Sequence, residues 1–109
     1  MMVQMLSTSY GHAILMTNYR YAIPAIGDID NLIGYTIEKW GKSQAEDYFD
    51  GLESQVRLLA EMPTLGKLRK NKLRAFPYKS HIIYYLEDRK GITVARVLHS
   101  SMDPAFHLG

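Results

Sequence analysis

The residues of this 109-residue chain that could do chemistry fall in two groups. One is a run of cations, Lys67, Arg69, Lys70, Lys72 and Arg74, in the stretch GKLRKNKLR. The other is Arg96 and His99, set in the otherwise apolar run ITVARVLH, with His81 and the pair Tyr84 and Tyr85 in the run before it. Imidazoles beside tyrosines and guanidinium groups are the residue types of an acid–base ribonuclease, which needs a base, an acid and phosphate clamps around one bond. The same types also serve as plain contact groups. Arg96 could pair with an acidic neighbour such as Asp103 or a helix carboxylate, and His99 could hydrogen-bond locally and orient the Ser100-Ser101 turn. The basic run reads either as a solvated loop or as an electrostatic footprint for an acidic partner. No aromatic residue is interleaved in it before Phe76, so it does not form a stacking platform for single strands.

Several chemistries are excluded. There is no cysteine, hence no disulfide, thiolate metal site or thiol nucleophile, and this fits a reducing cytoplasm. His81, His99 and His107 have no metal-ligand spacing. There is no glycine-rich phosphate loop and no G-x-S-x-G elbow, so no cofactor is expected. Net charge is +2, which permits an acidic partner without demanding one. No stretch is apolar for the ~18 residues of a membrane span. The first residues lack the basic segment and long apolar run of a secretory signal.

The elements that must position these groups can be read in order. Hydrophobic residues at 47% and charged residues at 22% describe one globular domain. Residues 1–15 have no clear period and carry methionines at 1, 2 and 5, with Met16 just beyond. They are expected to be a dispensable extension ahead of a domain spanning 16–109. Residues 19–23 alternate as a short strand. A first helix is expected from about Pro24 to Trp40, with Ile26, Ile29, Ile33, Ile37 and Trp40 as its apolar stripe and Asp28 and Asp30 near its positive end. Gly41 should cap it. A second helix should follow at once, opened by a Ser43/Glu46 capping box. Its stripe is Ala45, Tyr48, Phe49, Leu52, Val56, Leu59 and Met62, and Pro63 stops it. So short a connection dictates an antiparallel helical hairpin. Leu73 to Phe76, His81 to Glu87 and Ile92 to His99 read as three strands, with turns at 77–80 and at Asp88-Arg89-Lys90-Gly91. Simple alternation places Ile92, Val94, Arg96 and Leu98 on one face of the last strand and Thr93, Ala95, Val97 and His99 on the other. The expected fold class is α+β: an N-terminal strand, a helical hairpin, then a three-stranded antiparallel meander with a short C-terminal tail. Both strand faces carry apolar residues, so the face away from the helices needs the tail or a partner.

In order and spacing, a series of fragments resembles the ParE branch of the RelE/ParE toxin superfamily. They are Trp40-Gly41 ahead of Gln44-Ala45 and Tyr48, Leu58-Leu59-Ala60-Glu61-Met62-Pro63 with Leu65-Gly66, Arg74-Ala75-Phe76-Pro77, Ser80-His81-Ile82-Ile83-Tyr84-Tyr85, and Arg96-Val97-Leu98-His99 with Met102-Asp103. The resemblance covers roughly 19–108. It departs from the family pattern in the shortened basic stretch before Arg74 and in the N-terminal extension.

The resemblance implies a cytoplasmic toxin of a type II toxin–antitoxin module that inhibits DNA gyrase without enzymatic chemistry. A ParD-like antitoxin would neutralise it, docking as an amphipathic helix plus an extended tail. Direct sequence-specific nucleic-acid binding by the toxin alone is not expected. The alternative is a RelE-like ribosome-dependent mRNA endonuclease, but the tail from Met102 to Leu108 is acidic and apolar where that chemistry wants phosphate clamps. The residues expected to contact target or antitoxin are Lys67, Arg69, Lys70, Arg74, Arg96, His99, Met102 and Asp103.

Overall fold

The computed structural model describes residues 18–102. The expected extension over 1–15, its boundary with the domain, and the tail from Asp103 onward lie outside the described residues. The chain runs β1 (Tyr19–Tyr21), α1 (Ile23–Trp40), α2 (Lys42–Glu61), a short turn of helix at Pro63–Leu65, β2 (Lys67–Leu68), a turn at Lys70–Lys72, β3 (Leu73–Tyr78), β4 (His81–Asp88) and β5 (Gly91–His99). The strands form one sheet in the order β1-β5-β4-β3-β2. β3, β4 and β5 are the expected antiparallel meander. β1 adds to it in parallel beside β5, and two residues of the basic stretch add the edge strand β2.

The helical hairpin turns on one residue. Gly41 adopts φ 94°, which an L side chain resists. Its N–H closes α1 onto the Ile37 carbonyl, and its carbonyl accepts the first bond of α2 from Ala45. Ser43 therefore lies inside α2, which starts at Lys42 with no side-chain cap, so the expected capping box does not form. Asp28 is likewise not in the first turn of α1. The α1 stripe also differs from expectation. Ala25, Ile29 and Leu32 are the residues buried, while Ile26, Ile37 and Trp40 are 48%, 44% and 67% exposed. α1 carries apolar residues on more than one side, and the side with Ala25, Ile29 and Leu32 is the one that turns inward. On α2, Leu52, Val56, Leu59 and Ala60 are buried and Met62 is exposed, because the helix ends at Glu61 and leaves Met62 beyond its packed face.

The core is one cluster. Ala25, Ile29, Leu32, Leu52, Val56 and Leu59 from the helices meet Tyr78, Ile83, Tyr85, Ile92, Val94 and Val97 from the sheet. Val94 and Val97 are three apart, so strict alternation would put them on opposite faces. The register resolves this. Tyr84 pairs with Arg96 and Tyr85 with Val94, leaving Ala95 as an extra residue on β5. Such a bulge shifts side-chain parity by one and re-aims everything after it. The simple alternation expected for this strand holds only up to Val94.

β1 is three residues long and pairs only as far as Val94. Beyond that point the β5 edge meets α1 instead of a strand. Asp28 on α1 accepts the Val97 N–H at 2.9 Å, supplying the bond that a longer β1 would have made. At the other end of β5, Gly91 has φ 118°, and an added Cβ would collide with the Asn18 carbonyl. That close approach lets β1 lie alongside the start of β5.

Candidate functional site

The bulge on β5 and the short β1 together create a groove. It has a volume of about 780 Å³ and lies between α1, the start of α2 and the ends of β4 and β5. Leu32, Tyr35 and Trp40 form its apolar side, and Tyr48, His81, His99 and Met102 its far side. Among the described residues that line it there is no lysine or arginine.

One lining residue, Asp28, is held in an ion pair. Arg96 donates to Asp28 through Nε at 2.7 Å and through a terminal guanidinium nitrogen at 2.8 Å. The side chains are 23% and 11% exposed. The hydrogen bonds to Asp28 raise the Arg96 pKa further above its ordinary value. Of the two partners expected from the sequence, a helix carboxylate is present. Asp103, the other, lies outside the described residues.

The two histidines face each other across paired positions of β4 and β5, with ring centroids 5.4 Å apart and nearly perpendicular. Each is oriented by a neighbour at Nδ1. The Tyr48 hydroxyl lies 2.8 Å from His81 Nδ1. Burial holds the Tyr48 hydroxyl above its ordinary pKa, so it stays protonated. His99 Nδ1 accepts the Ser101 N–H at 3.1 Å and lies 2.8 Å from the Ser101 hydroxyl. A backbone N–H can only donate, so this Nδ1 is a lone pair, and neutral His99 carries its proton on Nε2. Burial, then repulsion from His99, pushes the His81 pKa below 6.5, with Asp28 opposing.

The tyrosines expected beside the histidines are not available to a ligand. Tyr84 and Tyr85 are 1% and 0% exposed. Tyr48, from the α2 stripe, takes that place. The sequence showed it only as a member of that stripe; its approach to β4 required the fold.

The basic group is elsewhere. Lys67, Arg69 and Lys70 are exposed on and beside β2, which β4 and β3 separate from β5, a span of roughly 14 Å at the usual strand spacing. Arg69 lies over the Tyr84 ring at 6.0 Å, within cation–π range. Half-buried Arg74 is structural in part: it donates to the Gly66 carbonyl at 2.9 Å. The same turn is held by Tyr85, whose hydroxyl donates to the Pro63 carbonyl at 2.6 Å and accepts the Gly66 N–H at 2.8 Å. A Cβ on Gly66 would run into that hydroxyl, so a glycine is needed for the approach. The structure thus brings His99 and Met102 to the groove, pairs Arg96 with the lining residue Asp28, and leaves Lys67, Arg69, Lys70 and Arg74 on and beside β2 and β3. Among the described residues no cluster of three metal-ligating side chains exists, and no helix is long and apolar enough to cross a membrane.

Comparison with known proteins agrees with this architecture. The chain is 37% identical over 100 residues to "Toxin ParE1" of Caulobacter vibrioides, covering 86% of this chain and all of that one. It is 28% identical over 93 residues to "Toxin ParE1" of Mycobacterium tuberculosis, covering 82% and 95%. A chain of the solved "Chromosomal ParDE TA system from P. aeruginosa" has the same fold, with a TM-score of 0.67 at 17% identity over 77% of this chain and 96% of that one. The family model for the ParE toxin of the type II toxin–antitoxin system parDE matches residues 19–104, and the chain belongs to that family.

Proposed function

We propose that this protein is a cytoplasmic toxin that inhibits DNA gyrase by binding, without catalysing a reaction, and that a ParD-like antitoxin neutralises it. The observation that carries the reading is the state of the two groove histidines. A general base needs a free lone pair aimed at the proton it removes. His99 Nδ1 accepts the Ser101 N–H, so its neutral ring offers only an N–H, and His81 Nδ1 is engaged by the Tyr48 hydroxyl. Among the described residues the groove lining also lacks the cations that a transferring phosphoryl group requires, since Lys67, Arg69 and Lys70 lie along the far edge. An apolar groove with fixed donors suits a peptide partner. The exposed cations of the β2 edge suit an acidic surface, which they would attract from a distance.

The test uses purified protein in two parallel assays, supercoiling by gyrase and cleavage of ribosome-bound mRNA. Inhibited supercoiling with intact mRNA is the expected result. Cleavage of the mRNA that His99→Gln abolishes while the thermal melt stays unchanged would replace this reading with the endonuclease one.

A further inference from the structure

The positive charge of this chain is concentrated in the hairpin of β2 and β3. Lys67, Arg69, Lys70, Lys72 and Arg74 fall within eight residues that include no carboxylate. Taking these five cations from the net charge of +2 leaves −3 for the rest of the chain. Arg74 is half-buried and bonded to Gly66, while the other four are exposed. Among the described residues, none of those four is in an ion pair.

The hairpin also carries a conformational cost at its tip. The Leu73 N–H bonds the Lys70 carbonyl and the Arg69 N–H bonds the Leu73 carbonyl, so Asn71 and Lys72 are the central residues of a tight turn. Their φ values are 59° and 65°, the positive pair of a type I′ turn. Asparagine suits the first of these positions, but the second favours glycine. Lys72 therefore holds a cation at the tip in a backbone conformation that its own side chain resists.

We infer that this hairpin is a contact for the phosphate backbone of double-stranded DNA, bound without regard to sequence through Lys67, Arg69, Lys70 and Lys72. In taking that duplex to be the DNA on which gyrase works, the inference rests on the gyrase reading. Composition favours DNA over an acidic protein. Protein–protein contacts are poor in lysine and centred on apolar area, whereas protein–DNA contacts are polar and strongly positive. Here three of the four exposed cations are lysines, and Leu68 is the exposed apolar side chain among them. Single strands fit poorly, because Tyr84, the ring beside Arg69, is 1% exposed and has no face on which a base could stack. The negative balance of the remaining chain turns the hairpin toward a polyanion and keeps the other faces off it.

The experiment titrates the full chain into a labelled random-sequence DNA duplex and follows fluorescence anisotropy as salt is raised from about 50 to 200 mM. One phosphate contact for each exposed cation predicts a slope of log K against log salt of about −3.6, so affinity should fall roughly a hundredfold over that range. Lys72→Gly should flatten the slope by about one unit while the thermal melt stays the same or rises, because glycine relieves the turn. The triple variant Lys67→Gln, Arg69→Gln and Lys70→Gln should flatten it by about three units. Absence of binding at about 50 mM salt, an unchanged slope in either variant, displacement by polyglutamate as readily as by DNA of equal charge, or tighter binding of an RNA duplex would each overturn the inference. Gyrase is absent from this assay, so its failure leaves a supercoiling result standing, and a failure to inhibit supercoiling leaves the DNA contact standing.

Discussion

Replacing Asp28 by Asn should damage this protein more than its place on a helix surface suggests. The carboxylate accepts three bonds, two from Arg96 and one from the Val97 N–H, at 2.7 to 2.9 Å. An amide keeps one acceptor oxygen, turns an NH₂ toward groups that are themselves donors, and removes the charge that balances Arg96. Hydrogen bonds to charged groups contribute about 1.5–3 kcal/mol each, and the part exposure of both side chains reduces that. A net loss of about 2–3 kcal/mol follows, a large share of a domain stability of about 5–15 kcal/mol. At ~4–8 °C per kcal/mol for a domain near this size, Tm should fall by roughly 10–20 °C. The double variant Asp28→Leu with Arg96→Met should be milder than Asp28→Asn. It removes both charges together and leaves the Val97 N–H unpaired, a cost of about 1–2 kcal/mol. Arg96→Lys should fall between wild type and Asp28→Asn, because an ammonium cannot make both guanidinium contacts. Thermal melts and urea titrations of the four proteins measure this. A Tm for Asp28→Asn within about 2 °C of wild type, or a double variant as unstable as the single one, would refute the reasoning.

Three other predictions follow from the same contacts. Tyr85→Phe removes a buried hydroxyl shared by Pro63 and Gly66, so urea denaturation should report a loss of about 1–3 kcal/mol, with faster amide exchange at Gly66. Because His81 is held below 6.5 in the fold, the unfolded chain binds its proton first as pH falls; stability attributable to this residue should be intact above about pH 6.5 and decline below it, and the decline should be smaller in His81→Phe when melts are run across that window. Charge reversal at Lys67, Arg69 and Lys70 should slow association with an acidic partner and flatten its salt dependence in stopped-flow or surface-binding kinetics, leaving the melt within about 0.5 kcal/mol of wild type because these side chains are exposed. Unchanged on-rates at low salt would remove that edge from any steering role.

The sequence by itself determined the elements and their order. Strand, helical hairpin and meander are local events, written in apolar periodicity, in Gly41 and Pro63 as stops, and in the turn residues around Gly91. It also showed which side chains were out of place for a core, Arg96 and His99, and the order of its short fragments carried the family. It did not determine what those side chains meet. The pairing of β1 with β5 joins residues more than seventy positions apart, and no local pattern encodes it. The extra residue at Ala95 reverses side-chain parity within a strand whose composition looks uniform, which is why simple alternation misplaced Val97. Asp28 reads as one more helix carboxylate until the β5 edge lies beside it with an N–H to satisfy. Tyr48 reads as part of an apolar stripe until α2 crosses the end of β4 and its hydroxyl reaches His81. Tertiary structure decided the groove because its walls come from four elements, and the chemistry of each wall residue depends on a partner that is distant in the chain.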